Sequence, residues 1–99
     1  MEIIVKKSDA KNKKYMVLID GNKIHFGDSR YEDFTTHKDE VRKQRYIKRH
    51  EKREEHLWNK EGIKTPSFWS RYLLWEKDNL KGAIEHINKK FNVNAHNDI

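Results

Sequence analysis

The first third of the chain shows the two-residue alternation of side chains that is typical of β-strands. Residues 2–6 form a short apolar run, and residues 14–19 are apolar on both faces, which indicates a central strand. Asp20-Gly21-Asn22 is a strong hairpin signal because these residue types tolerate positive φ angles. Ile24 and Phe26 then alternate along the return strand. The pattern predicts a three-stranded meander, or a hairpin with a loosely attached first strand.

The rest of the chain shows helical periodicity in three segments. Thr36 is a suitable N-cap, with Asp39 three residues later, for a helix that runs to about Leu57. Thr65-Pro66 begins a short second helix that is apolar nearly all round and therefore expected to be buried. Asp78 or Asn79 caps a third helix. Its apolar residues follow at spacings of 3, 1, 3 and 4: Leu80, Ala83, Ile84, Ile87 and Phe91.

These elements predict an α+β fold in which a small antiparallel β-meander of two or three strands is followed by three helices. A chain of 99 residues has the length of one domain. We assign residues 1–91 to a single α+β domain and residues 92–99 to a flexible polar tail.

Composition adds a modest core and a set of exclusions. Charged residues make up 38% and hydrophobic residues 34%, which favours disorder, but the eleven Phe, Trp and Tyr residues favour a folded domain. The absence of cysteine excludes disulfides, thiolate zinc sites and cysteine nucleophiles. No apolar run approaches the roughly 20 residues needed to cross a bilayer, and the N-terminus lacks a signal-peptide layout. We therefore expect a soluble protein that does not bind membranes.

The positive charge is concentrated in one segment. Of the formal net charge of +6, residues 38–53 supply +5, from eight Lys or Arg against three Asp or Glu. Helical spacings of 4, 3, 4 and 3 place five cations on one face over about 21 Å: Lys38, Arg42, Arg45, Arg49 and Lys52. Such a face can contact the phosphates of a nucleic acid in a salt-dependent way. The charge alone does not separate DNA from RNA, and we expect DNA as the partner in preference to RNA. The face can also contact an acidic protein, or simply be solvated. Arg71 is a further candidate, expected to be exposed beside this helix.

Other residues that could carry chemistry are better explained structurally. His50 and His56 lack the i, i+4 spacing of a helical zinc site, and a nuclease centre of His37, His50 and Asn59 does not suit a continuous helix. The carboxylates of residues 28, 32 and 33 more readily cap a turn than act as acid and base. The three tryptophans are expected to be mainly core residues, although exposed ones can stack on bases. We predict no enzyme, no metal and no cofactor.

A set of spaced motifs runs through most of the chain. The motifs are Ile24-His25-Phe26-Gly27, Tyr31-Glu32-Asp33-Phe34-Thr35-Thr36-His37-Lys38-Asp39, Arg42 with Tyr46 and Arg49-His50, Gly62 with Thr65, and Phe68-Trp69-Ser70-Arg71 with Leu73-Leu74-Trp75. Together they resemble a family of small basic proteins encoded by large double-stranded DNA viruses of eukaryotes and by tailed phages. The resemblance covers roughly residues 15–91. It implies a viral origin and a location in the virion or the host cell cytoplasm, and it supplies no catalytic residues.

The leading hypothesis is a virion-associated viral protein whose helix 38–53 contacts nucleic acid or an acidic partner in the particle. A second hypothesis is a minor or cementing structural protein of the capsid. A third is an intracellular viral effector that inhibits a host system for handling nucleic acid.

Overall fold

The computed structural model describes all residues, 1–99, as a four-stranded sheet with four helices. The strands are β1 (Glu2–Lys7), β2 (Lys13–Ile19), β3 (Asn22–Asp28) and β4 (Asn94–Asn97). The helices are α1 (Phe34–His37), α2 (Glu40–Glu54), α3 (Pro66–Trp69) and α4 (Leu80–Phe91). Short 3₁₀ turns occupy Glu55–Leu57 and Lys60–Gly62, and α3 continues directly into a π-helical segment, Ser70–Leu74.

The sheet is mixed, with strand order β3-β2-β1-β4. β1, β2 and β3 form the antiparallel meander, in which β2 is central, as its two apolar faces indicate. β4 pairs in parallel with the other side of β1, with Ile3 opposite Ala95. The predicted two- or three-stranded meander followed by three helices is therefore wrong, because a fourth strand completes the sheet and there are four helices.

β4 also replaces the flexible polar tail predicted for residues 92–99. Its sequence, Asn-Ala-His-Asn, has no strand pattern, and its partner β1 lies at the other end of the chain. The strand is held instead by a side chain of α4. The amide of Asn88 accepts a hydrogen bond from the backbone of Ala95 at 2.7 Å and donates one to its carbonyl at 3.1 Å.

The long helix predicted from Thr36 to Leu57 is divided in two. Lys38 adopts the left-handed conformation, with φ of 56°, and this ends α1. Asp39 then caps α2 by accepting hydrogen bonds from the backbone of Val41 and Arg42. Asp33 caps α1 in a reciprocal capping box with Thr36, so Thr36 lies inside the first turn and is not the N-cap.

The core lies between one face of the sheet and two helical elements, which are α4 and the continuous segment formed by α3 and the π-helical residues. Trp69 is completely buried, and its indole nitrogen donates to the carbonyl of Ile63 at 2.7 Å. Trp58 and Trp75 are partly buried against the same cluster. The predicted core role of the tryptophans is thus confirmed for Trp69, and the other two lie at the core's edge. No helix has the length and apolar character needed to span a membrane.

Gly62 is a point at which this packing admits no side chain. A Cβ placed there would lie 1.9 Å from the carbonyl oxygen of Leu57, which is backbone and cannot rotate away. We expect Gly62→Ala to lower the free energy of unfolding by about 3 kcal/mol, because the two 3₁₀ turns must separate. Gly21→Ala is the matched control. Its Cβ would meet no atom within 4 Å, so only the strain of a positive φ of 80° should lower the free energy of unfolding, by about 1 kcal/mol. Urea denaturation of both variants measures the difference, and equal losses would contradict the close approach.

Candidate functional site

Helix α2 separates its residues into a docked side and a free side. It has no fully buried residue, but a half-buried stripe faces the domain: Lys43, Tyr46, Ile47, His50 and Glu54. The cations Arg42, Arg45, Arg49 and Lys52 are exposed. Lys38 is exposed too, but it lies in the turn before the helix and not on the helix face on which the sequence placed it.

Two contacts hold α2 to the rest of the protein. The ring of Tyr46 stacks on that of Trp75, with centroids 4.4 Å apart and planes 2° from parallel. Lys43 donates to the carbonyl of Glu76 at 2.9 Å and lies 3.6 Å from its carboxylate, with its ammonium 5.0 Å from the centroid of the Phe34 ring. Burial raises the pKa of Tyr46, so its hydroxyl stays neutral in this contact.

Arg71 belongs to this anchoring group and not to the exposed cations. Its side chain is only 13% exposed, and its guanidinium lies 3.5 Å from the Glu76 carboxylate. The guanidinium carbon also lies 5.4 Å from the ring centroid of Trp58 and 5.1 Å from that of Tyr72. The expectation that Arg71 is exposed beside the basic helix is therefore wrong, because it compensates a half-buried carboxylate between two aromatic rings.

A cleft of about 760 Å³ lies along α2 and is lined by residues from both its exposed and its half-buried side. One wall consists of Arg42, Arg45 and Arg49, and the structure therefore brings these three predicted residues together. The lining also includes Lys13 at the start of β2 and Tyr31 in the loop after β3. Lys52 and Arg71 do not line the cleft. Its volume falls within the range of about 300–1,000 Å³ that is usual for ligand sites.

Three of the four carboxylates that line the cleft pair with Lys or Arg, and the fourth, Glu54, lies beside His50. Asp28 pairs with Arg30 at 2.8 Å, and this guanidinium lowers the pKa of Asp28 to about 2. The other pairs are Glu32 with Arg42 at 3.4 Å, Asp33 with Lys14 at 2.6 Å, and Glu54 with His50 at 3.1 Å. In contrast, Lys13, Arg45 and Arg49 have no carboxylate within 4.0 Å. The cleft thus presents three uncompensated cations against one carboxylate, Glu54, whose partner His50 has a lowered pKa and is neutral near pH 7.

The histidines and asparagine considered for a nuclease centre have separate structural roles. The ring of His37 lies 5.3 Å from that of Trp75, His50 contacts Glu54, and Asn59 caps the 3₁₀ turn Lys60–Gly62. No group of three or more His, Asp or Glu residues could hold a metal ion. Nothing in the geometry assembles these side chains for acid–base or metal-assisted chemistry.

Sequence reasoning missed Lys13 and Tyr31 as cleft residues. Each lies in a segment remote from α2 along the chain, and only the folding of β2 and β3 against the helices brings them near it. One signal was present in the sequence, because Tyr31 is an aromatic residue in a polar loop. In the structure Tyr31 is 70% exposed, so the core does not account for it.

Comparison with known proteins finds a similarity between part of the chain and a family of unknown function. The model of that family, DUF5754, matches residues 3–50, a segment that runs from β1 through most of α2 and includes all three cleft arginines. No curated protein matches the chain. No solved structure matches it either. The family's description names no activity, so the resemblance to viral proteins stays a prediction.

The buried Asp33 carboxylate is expected to be essential for the cleft's shape. Its side chain is 3% exposed, pairs with Lys14, caps α1 and accepts from the Thr35 hydroxyl. We expect Asp33→Ala to lower the free energy of unfolding by about 3 kcal/mol, since it leaves Lys14 without its partner in a nearly dry site. Asp33→Asn should lower the free energy of unfolding by less, because an amide can still cap the helix. Asp9→Ala, at an exposed carboxylate, is the control in chemical denaturation, and a loss there as large as at Asp33 would contradict the assignment.

Two half-buried histidines predict a pH dependence of stability. Burial lowers the pKa of His50 and of His86, against the opposing effect of Glu54 and of Glu76 respectively. The unfolded chain, whose histidines titrate near pH 6.5, therefore binds more protons than the folded protein as the pH falls. The stability contributed by the neutral rings is complete above that pH and is lost as the pH falls through 6.5 toward the folded pKa values.

We accordingly expect the free energy of unfolding to decrease between about pH 7.5 and pH 5.5. The double variant His50→Gln, His86→Gln should show a shallower decrease, measured by urea denaturation at several pH values. His56→Gln, the same change at an exposed position, is the control. An unchanged slope in the double variant would contradict the assignment.

Proposed function

We propose that the protein binds nucleic acid through the exposed cations of α2. The observation that carries the proposal is the lack of internal partners. Of the eight Lys and Arg residues in 38–53, only Arg42 and Lys43 have a carboxylate within 4.0 Å. The other six are unpaired: Lys38, Arg45, Lys48, Arg49, Lys52 and Arg53.

The helix itself is destabilised by this arrangement. Arg45 and Arg49, Lys48 and Lys52, and Arg49 and Arg53 are like-charged pairs at i, i+4, each of which costs roughly 0.2–0.5 kcal/mol. A solvated face needs no such repulsion, because alternating charges would keep it soluble and stabilise the helix as well. An anionic partner that spans several of these positions would relieve the repulsion, which favours a polyanion over plain solvation.

The family resemblance extends the proposal to a protein of a large DNA virus or phage, acting in the particle or in the infected cell. An acidic particle protein is the alternative partner for the same helix face. Mass spectrometry of purified particles addresses the location, and absence of the protein from virions would leave only the intracellular role.

The proposal is tested by reversing three unpaired charges on α2. We expect Arg45→Glu, Arg49→Glu, Lys52→Glu to weaken strongly, at low salt, the binding to labelled single- and double-stranded oligonucleotides, as measured by fluorescence anisotropy. Loss of three phosphate contacts should also make the plot of log affinity against log salt shallower by about 2 or more.

A matched control keeps the net charge the same. Lys7→Glu, Lys81→Glu, Lys89→Glu reverses three exposed, unpaired lysines away from α2, and each triple variant has a formal net charge of zero because each reversal removes two charges. The control should retain most of its affinity. If both triple variants lose binding equally, the protein's overall charge and not α2 is responsible, and if the unmodified protein binds no oligonucleotide at low salt, the proposal fails.

A further inference from the structure

An exposed aromatic residue, Tyr31, lines the cleft that the arginines of α2 also line. Tyr31 is the most exposed large hydrophobic side chain of the protein, at 70%. An exposed aromatic ring adds no burial energy to the fold, so folding stability does not explain its position.

The loop that carries Tyr31 is tightly bonded on both sides. The backbone nitrogen of Tyr31 donates to the carbonyl of Asp28 at 3.1 Å, and Asp28 in turn holds Arg30 through its backbone and its guanidinium. Two residues after Tyr31, Asp33 is fixed by Lys14 and by its capping box with Thr36. The ring is therefore presented to solvent from a constrained backbone.

We propose that the cleft binds a single strand of nucleic acid, with a base stacked on Tyr31 and neighbouring phosphates on Arg45, Arg49 and Lys13. This inference rests on the proposed function and deepens it by naming the strand state of the ligand. Base–aromatic stacking combined with a positively charged groove is the usual means by which proteins bind single strands without reading their sequence.

The shape of the site favours a single strand over a duplex. The cations Arg42, Arg45 and Arg49 line a concave site that is also lined by the loop after β3 and by residues 66–75. A helix that reads a duplex must instead project so that the major groove, about 12 Å wide, can receive it. In a duplex the bases are also stacked on one another, so Tyr31 would have no free base face to contact.

The charges in the cleft fit the backbone of such a strand. Arg45 and Arg49 are one helical turn apart, a rise of about 6 Å, which is comparable with the separation of successive phosphates in an extended strand. Lys13, at the start of β2, provides a third free cation in the lining of the cleft. Three of the cleft's four carboxylates are paired with Lys or Arg, so only Glu54, beside the neutral His50 ring, is left to repel the phosphates.

The experiment compares three labelled probes by fluorescence anisotropy with the full chain at low and moderate salt. They are a ten-nucleotide oligothymidine, an abasic oligonucleotide of the same length, and a hairpin duplex with the same number of phosphates. We expect the oligothymidine to bind at least tenfold more tightly than the duplex. We expect Tyr31→Ala to weaken oligothymidine binding about tenfold and to leave the abasic and duplex probes unchanged.

Two further variants test whether a loss of binding comes from the missing ring or from damage to the fold. Tyr31→Phe keeps the ring and should bind oligothymidine as the unmodified protein does. Val41→Ala removes an exposed apolar side chain of α2 that lies outside the cleft, and it should also have no effect. A circular dichroism melt of each variant shows that the fold is retained.

The outcomes distinguish this inference from the proposed function. If duplex and single strand bind equally and Tyr31→Ala changes neither, the cleft inference is overturned while nucleic-acid binding by α2 stands. If a polyglutamate peptide displaces the oligothymidine at equal charge concentration, the site is for an acidic protein and the inference is overturned. If no probe binds at low salt, both the inference and the proposed function fail.

Discussion

Helix α2 carries the protein's concentrated charge and yet has no fully buried residue, so its position depends on contacts that are partly polar. The Tyr46–Trp75 stack supplies the apolar part, and the Glu76 carboxylate supplies the rest by lying within 4.0 Å of Lys43, Arg71 and His86. Lys43 and Arg71 come from α2 and the π-helical segment, so this carboxylate links those two elements by charge, and it also lies near His86 of α4. Without this link, the wall of the cleft that α2 provides would have little to fix it.

The same chain thus uses its basic residues in two ways. Lys14, Lys43 and Arg71 are largely buried and each neutralises a carboxylate, so their charges are compensated within the protein. Arg45 and Arg49 have no such partner, and their charges are directed to solvent. The formal charge of a segment is therefore a poor guide to which of its cations are available to a ligand. The pairing within the structure makes that distinction.

The sequence predicted those elements whose signals are local. The apolar alternation of β2, the Asp20-Gly21-Asn22 turn, the Thr65-Pro66 helix start and the stripe of α4 all appear where the pattern indicated them. β4 could not be predicted because its four residues are mostly polar and its stability comes from β1 and Asn88, both distant in the chain or outside the strand. The break at Lys38 depends on a single left-handed residue that no apolar pattern marks.

The candidate site was predictable only in part, for a similar reason. Helical spacing correctly placed Arg42, Arg45 and Arg49 along one wall. It could not show that Arg71 turns inward between Trp58 and Tyr72, because an arginine among aromatic residues fits either an exposed or a buried position. The rest of the cleft's lining results from tertiary packing alone.

The π-helical segment Ser70–Leu74 has a consequence for how the protein tolerates changes in length. A π-helical turn holds one residue more than an α-helical turn, so it shifts every later residue around the helix axis. If the same five residues were wound as an α-helix, Trp75 would be rotated about the axis by roughly one residue's turn, about 100°, away from Tyr46. Deleting one residue together with a return to α-helical winding would instead leave Trp75 pointing in nearly the same direction. The direction of Trp75, and with it the placement of α2, therefore depends on the match between the number of residues in this segment and its π-helical winding.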